Sequence, residues 1–257
     1  MKIAVVLRQV PDLVEPLEVA GSGDALDLDR ASFLVNESDD HALEQAVLLK
    51  EAVGAAVAVT ALDFGDVDNT LYTAAAKGAD RIIKIPLDGE ALPPSRAMAA
   101  MLAEVIKGLE VDLVLIGCQA HNELEGSLAP QLAVALGLPY VGVIRGVQAG
   151  DEPGRVRAFK EFPGAVMAQM SVRLPAVLGI LAAAQAPRYV PVSRIRAAMK
   201  STEFGQQPVA AFGVEPGLKV RSLYAPQVAG RAEMIDGSEE AVAARLAEIL
   251  VEKGILK

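Results

Sequence analysis

Apolar positions in the first half of the chain alternate between two spacings. Short unbroken runs, "KIAVVLRQV", "AAVAVTALDFG", "RIIKIPL" and "DLVLIG", have strand length and no polar alternation, as in strands buried on both faces. Segments of helical spacing lie between them. "SDDHALEQAVLLKEAVGA" places Ala42, Leu43, Ala46, Val47 and Leu49 on one face, with Ser38 as the predicted cap and Asp39 and Asp40 at the positive end of the helix dipole. "DNTLYTAAAKGAD", closed by Gly78, "SRAMAAMLAEVIKGLE" and "LAPQLAVALGL" are the next helices. This alternation predicts an α/β fold, a Rossmann-like parallel sheet covered by helices on both faces.

After Pro153-Gly154 the pattern changes. "RVRAFKEF", "AVMAQMSV" and "AVLGILAAA" are strand-like runs without long helices between them, expected as antiparallel or mixed strands at the sheet edge. The stretch from "APRYVPV" to "VEPGL" is rich in turn-formers and reads as an extended arm. "SEEAVAARLAEILVEKGIL" is a final amphipathic helix capped by Ser238. The expected division falls at residues 1–195 and 196–257.

Composition narrows the classes. At 52% hydrophobic residues a membrane span has to be considered, yet the longest apolar run, "AVLGILAAAQAP", is well short of the roughly 20 residues a spanning helix needs. The N-terminus has no cleavage-site pattern and carries Arg8 and Asp12, which argues against a signal peptide. A single cysteine excludes an intramolecular disulfide framework, so a reducing cytoplasm is expected. The net charge of −9 argues against a nucleic-acid surface, whose phosphates need clustered Lys and Arg. With only two histidines, no metal site is predicted.

Ligands of open parallel sheets bind beyond the carboxyl ends of the strands. Three segments leave strands there: residues 8–12, 63–66 and 117–128. The last enters a helix at Gly126-Ser127, where free backbone N–H groups suit a phosphate. Neither GxGxxG nor GxxxxGKS is present, so the usual nucleotide fingerprints are missing. Two readings stand: a nucleotide crevice, or a structural loop with ordinary turn glycines. No catalytic set emerges. Cys118 is a lone thiol read as inert, and His41 is read as a surface or packing residue. His121 is divided between ligand contact and solvent, while Glu123 and Glu125 are read as solvated loop carboxylates. "PRYVPVSRIRAAMK" is basic within an acidic chain and interleaves Tyr189, Val190, Val192 and Ile195. It is either a surface crossover or a docking loop with an apolar anchor inside a charged rim.

"VVLRQVPD", "NESDDHALEQAVLLKE", "AAAKGADRIIKI", "DLVLIGCQA" with "APQLAVALGLP", "LPAVLGI" and "PRYVPVSRI" occur in this order. Together they resemble the beta subunit of electron transfer flavoproteins, closest to the bifurcating or FixA-like branch. The resemblance implies an electron-carrier subunit, not an enzyme, paired with an alpha subunit that holds most of an FAD. It implies AMP, or a second FAD, in the beta subunit. The family's nucleotide contacts map onto Val6, Asn36, Glu37, Ser38, Asp39, Phe64, Gly65, Gln119, Ala120, His121, Asn122, Glu123, Glu125, Gly126, Ser127, Leu128 and Ala129. Its partner-recognition loop maps onto residues 187–199, with Arg188, Tyr189 and Ile195 around an apolar anchor at Val192. The expected redox partner is a flavin dehydrogenase such as an acyl-CoA dehydrogenase or a FixC-like quinone oxidoreductase, and residues 196–257 are expected to pack on the partner subunit. This chain departs from the family's pattern at Glu37, which replaces a proline, and at Ser127, Leu128 and Ala129, which replace Gln, Thr or Val, and Gly. Three alternatives remain: a diverged paralogue holding AMP alone or no nucleotide, a stand-alone adenine-nucleotide-binding domain, and an enzyme using Cys118.

Overall fold

The computed structural model describes residues 1–87, 92–123, 126–209, 220–225, 232 and 234–256. These fall into two compact units, 1–222 and 223–257.

The first unit is built on a nine-stranded sheet in the order β11-β5-β4-β1-β6-β10-β7-β8-β9. Its strands are β1 (Lys2–Leu7), β4 (Ala56–Leu62), β5 (Arg81–Ile85), β6 (Leu113–Gly117), β7 (Tyr140–Ala149), β8 (Arg155–Phe162), β9 (Val166–Arg173), β10 (Ala176–Ala182) and β11 (Gly205–Gln206). A separate antiparallel pair joins β2 (Gln9–Pro11) to β3 (Phe33–Val35). From β11 to β7 the sheet is parallel, and β8 and β9 are antiparallel.

Helices α1 (Glu37–Val53), α2 (Val67–Lys77), α3 (Ser95–Lys107) and α4 (Leu128–Leu136) cover the sheet. Because strand side chains alternate faces, Ile3, Val5 and Leu7 of β1 join α1 and α2 in one core, while Ala4 and Val6 join α3 and α4 in the other. The unbroken apolar strands read from the sequence are buried for this reason. The expected α/β fold with helices on both faces is therefore found.

Three local expectations change. The run "AVLGILAAA" is not an edge strand: β10 lies between β6 and β7 and is parallel to both, and its five buried leading residues suit an interior place. Residues 192–201 are helical, not extended. Pro191 sits before the helix with φ −62°, and helix α5 (Val192–Ser201) turns Ile195 and Ala198 onto Ala76 and Val190. Ser38 does not cap α1. The cap position is Asn36, and the Ser38 hydroxyl donates instead to the Gln119 carbonyl at 2.8 Å. The other caps stand: Gly78 closes α2 with its N–H on the Ala74 and Ala75 carbonyls.

The second unit contains α6 (Glu239–Glu252), whose Ser238 side chain accepts the Ala241 N–H, as expected. Among the described residues no helix is long and apolar enough to cross a membrane.

Candidate functional site

Strand order places the candidate site. From β1 the chain moves outward through β4 and β5, then returns to β6 on the other side of β1. The loops after β1 and β6 therefore leave in opposite directions and open a crevice between them, the usual ligand position in such sheets.

Arg8 occupies that crevice. It interrupts an apolar run at the end of β1 and is 9% exposed. Its backbone N–H and Nε donate to Asp39 Oδ2 at 3.0 and 2.8 Å. Nη2 donates to Asp39 Oδ1 at 2.8 Å and to the carbonyls of Gly117 at 2.8 Å and Gln119 at 3.3 Å. Nη1 donates to Glu123 Oε1 at 2.6 Å. Asp39 is fully buried and also accepts the Gly117 N–H at 2.6 Å. The two carboxylates hold the guanidinium pKa above its ordinary value even though burial opposes its charge.

One cation thus faces two buried carboxylates. The Glu123 side chain is 5% exposed and its Oε2 has no hydrogen-bond partner among the described residues. Burial raises its pKa, against the attraction of Arg8, with the nearby Asp39 charge adding to the rise. The expectation of a solvated Glu123 is overturned: the loop folds back on itself, with its N–H on the Ala120 carbonyl at 3.2 Å, and delivers the side chain to Arg8.

Gly117 explains how α1 comes this close. A β-carbon there would collide with the Ser38 hydroxyl and the Asp39 carboxylate, and would lie 2.8 Å from the Asp39 nitrogen. Asn36 Nδ2 joins the Ser38 hydroxyl on the Gln119 carbonyl, at 2.9 Å. So Asn36, Ser38 and Asp39 hold the loop after β6 with their side chains.

The remaining expected nucleotide contacts fall in several places. Val6 is buried in β1 between Thr60 and Ile116, and Glu37 is the first residue of α1. Phe64 meets Phe33 edge-on, 5.1 Å between ring centroids. Gly65 has φ +65°, and a β-carbon there would be 2.8 Å from the Phe33 ring. His121 Nε2 donates to the Pro11 carbonyl at 3.0 Å, and Asn122 Nδ2 points to the Gln9 carbonyl at 3.5 Å. Gln119 is exposed and Ala120 buried. Gly126 has φ +56°. Ser127 precedes α4 and its hydroxyl accepts from Gln131 Nε2 at 2.6 Å. Leu128 and Ala129 open α4 and are buried, and the next residue, Pro130, has no N–H. Glu125 lies outside the described residues.

Cys118 is half-buried, its N–H on the Ile180 carbonyl at 2.8 Å, and burial pushes its thiol pKa up, away from thiolate chemistry. His41 accepts the Ala183 N–H on Nδ1 at 3.2 Å, a packing role. Among the described residues no group of three or more His, Cys, Asp or Glu could hold a metal ion.

The docking candidates divide by direction. Tyr189 and Val192 are 83% and 58% exposed. Ile195 packs inward on the cluster of Ala76, Val190 and Ala198, and Arg188 is bonded to Glu44 and Glu51. The sequence pattern places Arg8 and Gly117 in crevice segments without giving either a role, and does not single out Glu44. The available signals were an arginine ending an apolar run, a glycine ending a strand, and an acid on the inner face of a helix.

Residues 26–213 match the electron transfer flavoprotein domain. The chain is 31% identical to the electron transfer flavoprotein subunit beta of Methylophilus methylotrophus, with 98% of each chain covered. It is 31% identical to the subunit beta of Syntrophomonas wolfei, over 96% of this chain and 95% of that one. The subunit beta of Bradyrhizobium diazoefficiens is 26% identical, with both chains covered in full.

Proposed function

The chain belongs to the electron transfer flavoprotein family, as a beta subunit, and from that premise we propose that it works in a heterodimer with an alpha subunit, passing electrons between a flavin dehydrogenase and a second redox partner. The sequence features "QVPD" and "GCQA" favour the bifurcating or FixA-like branch. The flavin supplies the electron chemistry, and the protein supplies placement and partner choice.

The observation that carries this reading is the crevice at the switch between β1 and β6, whose rim is fixed by Arg8, Asp39 and Glu123. We assign it to the adenosine monophosphate moiety that AMP and FAD share. The N-terminus of α4, where helix N–H groups lack intrahelical acceptors, suits a phosphate. Phe64 suits an apolar ring, and the carbonyls of residues 121 and 122 suit hydroxyl or amine donors. Asn36, Ser38 and Asp39 act through the loop they hold, since their side chains are already bonded to Gln119 and Arg8. The exposed pair Tyr189 and Val192 forms the apolar anchor for the dehydrogenase, and α6 of the second unit packs on the alpha subunit.

Co-expression with an alpha subunit, gel filtration, acid release and identification of the nucleotides test the proposal. The expected product is a coloured heterodimer carrying FAD plus either AMP or a second FAD. Those two outcomes separate an ordinary from a bifurcating subunit. A colourless homo-oligomer indifferent to any alpha subunit would overturn the reading.

A further inference from the structure

Helix α1 buries two polar side chains away from the crevice. Glu44 and Gln45 are 2% and 1% exposed among Ala42, Leu43, Ala46, Val47 and Leu49. Gln45 Oε1 accepts the N–H groups of Val147 at 3.0 Å and Ala184 at 3.1 Å. Glu44 accepts the backbone N–H of Arg188 at 2.9 Å, its Nε at 3.0 Å and its Nη2 at 2.8 Å. The same guanidinium reaches the exposed Glu51 through Nη1 at 2.6 Å. With His41 on the Ala183 N–H, four side chains of α1 hold the segment that leads from β10 into α5. Just beyond Arg188, Val190 is buried while Tyr189 and Val192 stand out from the surface.

A buried carboxylate is costly unless paired, and an apolar pair of similar volume often serves stability as well or better. What Glu44 and Arg188 add is placement: a planar fork fixes both position and direction. We infer that Glu44 is a positioning residue for partner docking, holding residues 183–191 so that Tyr189 and Val192 are presented in one conformation before a partner arrives. Ordering the segment in advance lowers the entropic cost of association. The inference rests on the docking reading for its purpose; the latch itself rests on geometry.

Hydrogen exchange on the purified heterodimer tests the latch. In Glu44→Gln, amides of residues 183–201 exchange roughly tenfold faster, while those of residues 113–123, in β6 and the crevice loop, keep wild-type rates. Equal acceleration in both regions, the mark of a loosened fold, overturns the inference, as does no acceleration anywhere. Arg188→Gln reproduces the regional pattern, and the double variant is no worse than either single change because the two act as one unit; additive losses would count against it. With an acyl-CoA dehydrogenase as electron donor, Glu44→Gln raises the KM for the flavoprotein at unchanged kcat and unchanged nucleotide content, and an unmoved KM removes the docking role. If Val192→Asp also leaves that KM unmoved while the regional exchange persists, the docking reading fails and the latch remains.

Discussion

Arg8 and Asp39 form a two-point fork across the crevice, Nε on Oδ2 and Nη2 on Oδ1, both at 2.8 Å. The fork joins the end of β1 to the first turn of α1, and through Gly117 and Gln119 to the loop after β6. Removing one member of a buried ion pair leaves the other charged and unpaired, at a cost of about 3–5 kcal/mol. Asp39→Asn leaves Arg8 with Glu123 still beside it, so the unfolding free energy, read by urea denaturation, is expected to fall by about 3 kcal/mol, the low end of that range. A loss no larger than that of an exposed-pair control such as Arg30→Ala would refute the clamp.

Glu123 gives a pH dependence of defined sign. Its pKa lies above the ordinary 4.5, chiefly through burial, so the folded state holds its proton more tightly than the unfolded chain does. The groups facing it are Arg8, Asp39 and the Ala120 backbone. Its contribution is fully present below the ordinary glutamate value and is lost as pH rises through the raised one. Glu123→Gln, which keeps a neutral acceptor for Arg8, removes that loss. Its melting temperature relative to wild type should climb as pH is raised from 4.5 through the raised value. A difference that is flat or falls with pH would show that ionised Glu123 stabilises the fold.

The α/β architecture was legible because strands buried on both faces cannot alternate, so β1, β4, β5 and β6 announce themselves as apolar runs. The end of the chain was less legible. "AVLGILAAA" reads the same as an edge or an interior strand, and only its pairing with β6 and β7 decides. In α5 the prolines before Val192 masked a helix that tertiary contact with Ala76 supports. The three crevice segments were legible, but not the bonds that join them. The resemblance maps Asn36, Ser38 and Asp39 onto nucleotide contacts, and their side chains bond across long sequence separations to Gln119, Arg8 and Gly117. No local pattern encodes such partners.

Gly117 is fixed by close approach and not by its backbone angle. A methyl group there would meet Ser38 and Asp39, so α1 would have to withdraw from the sheet. Overpacking of this kind costs about 1–3 kcal/mol, and the Arg8 clamp would be strained with it. Gly117→Ala should lower the melting temperature by about 2–4 °C per kcal/mol lost and reduce the bound nucleotide recovered from the heterodimer. Gly137→Ala, at the end of α4 where nothing among the described residues lies within 4 Å, is the control that separates the two effects. It pays only for its φ of +69° and should leave nucleotide recovery intact. Equal nucleotide loss in both variants would mean that the approach of α1 is not what shapes the crevice.

Tyr189 and Val192 are exposed apolar residues on a stretch held down by Arg188, Val190 and Ile195. A buried anchor of this kind at an interface is worth about 2 kcal/mol or more on truncation, and a carboxylate in its place adds a desolvation cost. Val192→Asp should therefore raise the KM for electron transfer from the dehydrogenase by roughly thirtyfold or more. It should leave kcat, bound flavin and the melting temperature close to wild type, because the Val192 side chain belongs to neither core. Ile195→Asp behaves differently: its side chain faces Ala76 and Ala198, so it lowers stability before it touches docking. Steady-state kinetics and thermal melts on the two variants separate the roles. Loss of flavin in Val192→Asp with unchanged partner kinetics would place this residue in the cofactor site and out of the interface.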